Sequence, residues 1–237
     1  MSDREEILKR LQENVTRIKE EIATCCLAAN RDVSSVKLVA VTKYVDARIM
    51  RFLFEAGCTT MGENRGDSLR DKVDLLDDLP IEFHFIGHLQ RNKIKWVLPS
   101  ATLIHSVDSL RLMEALNSSA LADQRECEIL LEVNISGEAN KNGLFWSEVA
   151  DVVAAAQAMP GIRVCGFMGM AGLESTRQET QQQFESLADL AYEILPRATA
   201  KDPLNELSMG MSHDFDLAIA AGATLVRIGS RLFEGLI

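Results

Sequence analysis

The chain alternates short apolar runs with longer segments in which apolar residues recur every three or four positions. The short runs are typical of buried strands, and they read VKLVAVT, CTTMG, EFHFIG, TLIHSV, EILLEVNI, RVCGFMGM, NELSMG and TLVRIG. The periodic segments between them predict helices. In DARIMRFLFEAG, Asp46 is a candidate N-cap and Gly57 a candidate C-terminal residue. A capping box at Thr176 and Glu179 predicts the start of a long helix.

Eight strands that alternate with helices favour a single (β/α)8 TIM barrel, a fold of about 250 residues. No Pro/Ser linker or change of composition divides the chain, so we expect one domain over residues 1–237 and no second β-domain. Residues 4–28 predict an extra N-terminal helix. We expect it to cover the barrel after strand eight, where SRLFEGLI is too short for a full helix. An open doubly wound sheet is the alternative, and the lack of a GxGxxG motif weakens its dinucleotide-binding form.

Composition narrows the function classes. The chain has 237 residues and a formal net charge of −10, which argues against nucleic-acid and membrane partners. No apolar run is long enough to cross a bilayer, and MSDREEILKR lacks the apolar stretch of a signal peptide, so we expect a cytoplasmic protein. Five cysteines without a CxxC pair indicate reduced thiols, and four histidines without ligand spacing predict no metal.

Lys43 is the most unusual of the residues at the predicted strand ends. It closes VKLVAVTK, a run expected to be buried, and lysine is rarely buried without a partner or a role. Desolvation lowers the pKa of an amine and so supplies the neutral form that Schiff-base chemistry needs. A lysine that reaches from the strand end to the barrel rim is an equally good interpretation.

Two turns near the C-terminus predict a phosphate site. SMGMS follows the seventh strand and RIGS the eighth, which is where (β/α)8 barrels often bind phosphate. Ser208, Ser212 and Ser230 supply hydroxyls, and Gly210 and Gly229 allow close approach of the backbone. Either turn alone is more often a simple cap or tight turn, but the pair at these two strands favours phosphate.

Arg227 lies inside the last predicted strand and should point into the barrel mouth as a fixed cation. A salt bridge to a carboxylate such as Glu63 is the structural alternative. A lysine, a phosphate site and a fixed arginine together suggest an aldehyde cofactor that carries a phosphate, namely pyridoxal 5'-phosphate (PLP).

These same motifs carry a family resemblance. LVAVTKY, GEN, FHFIGHLQRNK, NIS…NKNG, GFMGM, LSMGMSHDFDLAIAAG and VRIGSRLFEG resemble the pyridoxal phosphate homeostasis protein family. That family is related to the N-terminal barrel domain of alanine racemase. The resemblance runs in the same order from about Val36 to Gly235, and FHFIGHLQRNK and SMGMS…VRIGS are its most specific parts.

The resemblance implies a PLP site with Lys43 forming the internal aldimine and Arg227 facing the pyridine nitrogen, which then stays unprotonated. Asn64 is placed near the ring. The residues matched to phosphate binding are Ser208, Met209, Gly210, Ser212, Gly229 and Ser230. His84 and Met168 are weaker candidates, and a core role for His84 is slightly preferred. Lys141 is the rival lysine for PLP attachment, because its loop also follows a strand.

Two functions from different classes remain open. The first, which the resemblance favours, is a non-enzymatic PLP carrier that supplies PLP-dependent apo-enzymes and is monomeric. The second is a weak PLP-dependent racemase or related enzyme. Racemase relatives have a second domain whose tyrosine is the opposite-face base, and neither Tyr44 nor Tyr192 has a clear claim to that role. A Schiff-base aldolase acting on a sugar phosphate is a third, weaker option.

Overall fold

The computed structural model describes residues 3–138 and 142–236, which contain a closed barrel of eight parallel strands. The strands pair in chain order, and β8 closes the barrel by pairing with β1. They are β1 (Lys37–Val41), β2 (Thr60–Glu63), β3 (Glu82–Phe85), β4 (Leu103–Val107), β5 (Cys127–Glu132), β6 (Ile162–Met168), β7 (Glu206–Ser208) and β8 (Leu225–Ile228). The predicted (β/α)8 TIM barrel is therefore confirmed.

Helices lie between the strands and before the first one. They are α1 (Asp3–Ala28), α2 (Ala47–Glu55), α3 (Gly66–Leu75), α4 (Ile94–Val97), α5 (Leu110–Ala122), α6 (Trp146–Gln157), α7 (Arg177–Ile194) and α8 (Phe215–Ala220). Asp46 caps α2 by accepting the amide of Ile49, and Thr176 and Glu179 form the capping box of α7, as predicted. The segment QRNKIKWVL is less regular than expected, because a short 3-10 turn at Arg91–Lys93 precedes α4.

The N-terminal helix covers the barrel beside the last strand. Leu11, Val15 and Ile18 of α1 are buried in the main core. The Asn14 side chain donates hydrogen bonds of 3.0 Å to the carbonyls of Leu232 and Glu234, in the turns that follow β8. The predicted role of this helix is confirmed, since it packs on and hydrogen-bonds to the segment that lacks a full helix.

Side chains two apart along each strand share a face, so alternate residues point into the barrel. The barrel centre is apolar on one side, where Val39, Leu103, Leu130, Cys165, Met168 and Leu225 form a buried cluster. His84 and His105 are also buried, with ring centroids 4.9 Å apart. The barrel interior is therefore a packed core that also contains a row of polar side chains. The space for a ligand lies at the carboxyl ends of the strands.

Other expectations concern what the fold lacks. All five cysteines are free thiols, and burial raises the pKa of the Cys58 thiol to about 11. Within residues 3–138 and 142–236, no cluster of three or more histidine, cysteine or acidic side chains could hold a metal ion. Across the same residues, every helix is too short or too polar to span a bilayer.

Candidate functional site

A cavity of about 280 Å³ lies at the carboxyl ends of the strands. Three of the predicted site residues, Lys43, Asn64 and Arg227, line it together. Among the residues that the structure describes, the lining includes Val41, Lys43, Asn64, Ile86, Gly87, His88, Ser106, Glu132, Asn142, Met168, Met170, Met211 and Arg227. The mouth of a (β/α)8 barrel is where its chemistry occurs, so these residues define the candidate site.

Lys43 does not lie within the first strand. β1 ends at Val41, and Lys43 occupies the turn before α2 with its side chain exposed. Its Nζ lies 4.8 Å from the centre of the Tyr44 ring. Of the two interpretations of Lys43, the one that places it at the barrel rim is confirmed and the buried one is wrong, because the strand pairing stops two residues earlier. The amine sits at the rim, where it is accessible to a ligand in the cavity.

The turn that carries Lys43 is held from below by a buried ion pair. Lys72 of α3 donates to Glu63 Oε1 at 2.6 Å and to the carbonyl of Thr42 at 2.9 Å. The Thr42 hydroxyl donates to the same Glu63 oxygen at 2.6 Å. These bonds fix the backbone directly before Lys43, so an exposed lysine side chain extends from a well-held turn.

The backbone of Asn64 packs closely on a glycine in the turn after the neighbouring strand, β3. A Cβ on Gly87 would lie 2.2 Å from the Asn64 carbonyl oxygen, which excludes any other residue at position 87 without a backbone shift. The GEN and FIGH motifs are therefore one structural unit, in which the turn after β2 packs on the turn after β3.

The two C-terminal turns are joined to each other. The amide of Gly229 donates to Ser212 Oγ at 3.3 Å, which places the SMGMS and RIGS turns side by side. Ser230 is exposed beside them. Ser212 does not cap the next helix: α8 begins at Phe215, and the Asp214 carboxylate accepts the Met211 amide at 2.5 Å.

The other residues of the SMGMS turn have different structural roles. Gly210 has a φ of +87°, and a Cβ there would lie 2.5 Å from the Ala218 side chain, so glycine is required for α8 to pack closely. Met209 is fully buried in the core, which leaves only its backbone near the turns. The Ser208 side chain points into the barrel interior, below the loop hydroxyls. The predicted phosphate contacts therefore centre on Ser212, Gly229 and Ser230.

Arg227 is a buried cation held by neutral partners. Its NH1 group donates to Ser208 Oγ at 2.5 Å, and NH2 donates to the Gly169 carbonyl at 3.1 Å. Glu63, the alternative partner weighed for Arg227, is bonded to Lys72 instead. Desolvation lowers the pKa of Arg227 to about 10, so the guanidinium remains protonated at neutral pH.

A line of buried polar groups continues from Arg227 across the barrel. Ser208 Oγ lies 2.8 Å from His105 Nδ1, and His105 Nε2 lies 2.9 Å from His84 Nδ1. His84 Nε2 then lies 3.2 Å from Glu82 Oε1. We call these five residues the polar line. His84 is thus a core histidine, as preferred, and it is linked to the site through its neighbours.

Glu132 is a carboxyl group buried at the site. It ends β5, is 5% exposed, and lines both the main cavity and an adjoining one of about 280 Å³. Desolvation, together with the nearby Asp108 charge, raises its pKa to about 7, against a smaller opposite effect of Arg227. Glu132 therefore changes charge near physiological pH, within reach of the field of Arg227.

Sequence reasoning missed Lys72, His105 and Glu132 as parts of this site. The sequence does indicate that Lys72 is buried, because this residue falls three positions after Leu69 on the apolar face of α3. His105 and Glu132 sit inside strands that otherwise read as buried, which is a similar signal. Lys141, the rival lysine, lies outside the residues that the structure describes.

The fold and site together define a barrel of the alanine racemase type. The chain belongs to the family of the alanine racemase N-terminal domain, whose model matches residues 8–236. It is 34% identical over 221 residues to the pyridoxal phosphate homeostasis protein of Aquifex aeolicus, covering 93% of this chain and 96% of that protein. The protein of the same name from Pseudomonas aeruginosa is 33% identical over 226 residues, covering 95% and 96%.

Solved structures agree with this assignment. A protein from Bifidobacterium adolescentis described as unknown superposes with a TM-score of 0.91 at 32% identity, covering 98% of this chain and 97% of its own. PipY of Synechococcus elongatus with PLP bound gives a TM-score of 0.82 at 31% identity, covering 94% and 99%. Alanine racemase from Corynebacterium glutamicum shares the fold, with a TM-score of 0.66 at 18% identity over 95% of this chain and 60% of that one.

Proposed function

We propose that this protein binds PLP through Lys43 and acts in PLP homeostasis, holding the cofactor and supplying it to PLP-dependent apo-enzymes. The observation that carries the proposal is the mouth cavity, where an accessible lysine and a fixed arginine face the same space. The relatives named pyridoxal phosphate homeostasis protein and the PLP-bound PipY structure support the choice of cofactor.

The residues present fit such a group. The joined turns offer the Ser212 and Ser230 hydroxyls and the Gly229 backbone to a phosphate. Lys43 would hold the aldehyde carbon, Arg227 would meet the ring nitrogen, and Asn64 would lie beside the ring. PLP supplies an aldehyde that reacts with amines and a ring that withdraws electrons.

The residues at the site favour a carrier over an enzyme. An arginine donates hydrogen bonds and keeps its proton, so it leaves a ring nitrogen unprotonated and weakens the ring as an electron sink. Tyr192 lies exposed on α7, and Tyr44 is exposed at the rim against Lys43. Neither is a buried base across the cavity from Lys43. The carrier acts, on this proposal, as a monomer in the cytoplasm.

The decisive experiment measures transfer. Purified PLP-loaded protein is mixed with a PLP-dependent apo-enzyme, and recovery of that enzyme's activity is compared with recovery from the same concentration of free PLP. We expect the loaded protein to reactivate the apo-enzyme, also when a PLP-trapping amine captures the free cofactor. Reactivation abolished by the trapping agent would leave PLP binding in place but remove the supply function.

Turnover tests the enzyme alternative. Loaded protein is incubated with each common amino acid in deuterated water, and exchange of the α-hydrogen, racemisation and keto-acid formation are followed. We expect at most slow exchange with Lys43 as a single base. Turnover of any amino acid at about 1 s⁻¹ or faster, the lower end of ordinary enzymes, would replace the carrier function with an enzymatic one.

A further inference from the structure

The polar line joins the mouth of the barrel to its floor. Glu82 is the first residue of β3, and at the floor it also accepts bonds from Lys37 of β1 at 3.1 Å and from Thr60 of β2 at 2.9 Å. At the other end, Arg227 lines the mouth cavity. Between them, Ser208 and His105 are fully buried, and His84 is 1% exposed. The four members from Arg227 to His84 are therefore shielded from bulk water, and only Glu82 at the floor is partly exposed.

The two ends of the line fix the direction of its hydrogen bonds. An ionised carboxylate only accepts hydrogen bonds and a guanidinium only donates them. The hydrogen bond from His84, aided by Lys37, lowers the pKa of Glu82 to about 2, so this end is an acceptor at neutral pH. His84 Nε2 must therefore donate to Glu82, and Arg227 donates to Ser208.

With both imidazole rings neutral, the hydrogen bonds of the line can run in one direction only. A neutral imidazole that donates from Nε2 accepts at Nδ1, so His84 accepts from His105 Nε2. His105 then accepts at Nδ1, and the Ser208 hydroxyl donates to it. Desolvation, with the nearby His84 and Arg227, lowers the pKa of His105 well below its usual value, which agrees with a neutral ring. Every donor and acceptor in the line is then satisfied.

We propose, on the basis of the proposed function, that His105, His84 and Glu82 are positioning residues for the cofactor site. They orient the Ser208 hydroxyl so that its oxygen is free to accept from Arg227, and this fixes the guanidinium at the mouth. The Glu82 charge at the barrel floor thereby sets the environment of the group that Arg227 meets. Among the described residues, the other ionisable groups that act on the line include Lys37 at its floor, and Asp214 and Glu132 near Arg227.

The first test reads the tautomers directly in the protein without added PLP. Nitrogen-15 NMR of labelled histidine at neutral pH should show His84 and His105 each protonated at Nε2 only. Exposed His213 serves as an internal reference. A proton on Nδ1 of His84 or His105 at this pH would reverse the line and overturn the proposal.

The second test uses PLP-loaded variants at saturating PLP and reads the absorption maximum of the bound cofactor. Glu82→Gln replaces the acceptor with an amide that can also donate, and Ser208→Ala removes the link to Arg227. We expect both to shift the maximum. Glu128→Gln is the matched control, since Glu128 pairs with Arg163 near the barrel floor outside the line, and it should shift nothing.

Unchanged maxima in Glu82→Gln and Ser208→Ala, with normal loading, would also overturn the proposal. Glu82 is half-exposed, so its variant remains informative if the Ser208 variant does not fold. The proposed function fails separately: a wild-type protein that takes up no PLP would remove the carrier role and leave the tautomer result intact.

Discussion

Lys72 and Arg227 are both buried cations near the mouth of the barrel, and they are held in different ways. Lys72 is bonded to the carboxylate of Glu63, and the two side chains are 10% and 0% exposed. Arg227 is bonded to a hydroxyl and a backbone carbonyl. The first charge is neutralised within the protein and serves the backbone of the Lys43 turn. Within the described residues, the Arg227 charge is not paired with a carboxylate by hydrogen bonds, so it can interact with a ligand in the cavity.

Removing the lysine proposed to attach PLP should have the largest effect on the protein. Lys43 lies in the turn whose backbone is held by the Lys72–Glu63 pair. Lys43→Ala removes its amine, so no covalent bond to PLP can form at this position. We expect complete loss of the absorption band of bound PLP and no PLP trapped after borohydride reduction. Lys95→Ala, at an exposed lysine of α4, should keep both signals.

Retention of the band in Lys43→Ala, with PLP trapped on another lysine, would contradict the assignment. Peptide mapping of the reduced protein identifies the lysine used, and Lys141 is the first to check. Such a result would move the attachment point to the loop after β5 while leaving the rest of the comparison unchanged.

Breaking the neutralised pair should cost the most stability. Lys72→Met leaves the Glu63 carboxylate buried without its cation, and losses of about 3–5 kcal/mol are typical when one partner of a buried pair is removed. We expect a loss of this size in the free energy of unfolding, measured by chemical denaturation. The double variant Glu63→Leu with Lys72→Met should recover part of it. If Lys72→Met alone is neutral, the pair does not support the turn.

Glu132, which lies near Arg227, should make the stability of the protein depend on pH. Its pKa is about 7 in the folded protein against about 4.5 when unfolded, so between these values the folded state binds the extra proton. The contribution of Glu132 to stability is therefore full below about pH 4.5 and is lost as pH rises to about 7. We expect roughly 3 kcal/mol of this pH dependence to vanish in Glu132→Gln, measured by denaturation at several pH values. An unchanged pH profile in the variant would show that Glu132 titrates normally.

The smallest expected effect concerns the joined turns. Ser230→Asp places a carboxylate against the proposed phosphate position, where like charges repel. We expect PLP to bind at least about tenfold more weakly, roughly 1.4 kcal/mol, in a fluorescence titration. Pyridoxal, which lacks the phosphate, should lose much less. Equal losses for both ligands would mean that the turn acts through folding.

The sequence predicted the barrel and the location of the site because both depend on local patterns. Apolar runs, helical periodicity and the capping box at Thr176 each involve residues close together in the chain. The same reasoning placed Lys43, Asn64 and Arg227 at one end of the barrel, and the structure puts all three on one cavity.

The partners of the buried polar groups could not be predicted in this way. His105 meets Ser208 across 103 positions of sequence, and the choice of Lys72 over Arg227 by Glu63 depends on packing of α3. The sequence also left the exposure of Lys43 undecided, because an apolar run does not show where strand pairing stops. Long-range contacts and strand ends are set by the tertiary structure, which composition and periodicity do not encode.

The hydrogen bonds between α1 and the turns after β8 join the two ends of the described chain, and this affects how the protein folds during translation. Asn14 and Leu232 are 218 positions apart, and β1 pairs with β8 across a similar separation. During translation, one edge of β1 and the part of α1 that contacts α8 and the turns after β8 have no native partner until those segments emerge. Unpaired strand edges and exposed apolar faces are prone to aggregation. We therefore expect the pairing of β1 with β8 and the docking of α1 on the last turns to be late steps of folding.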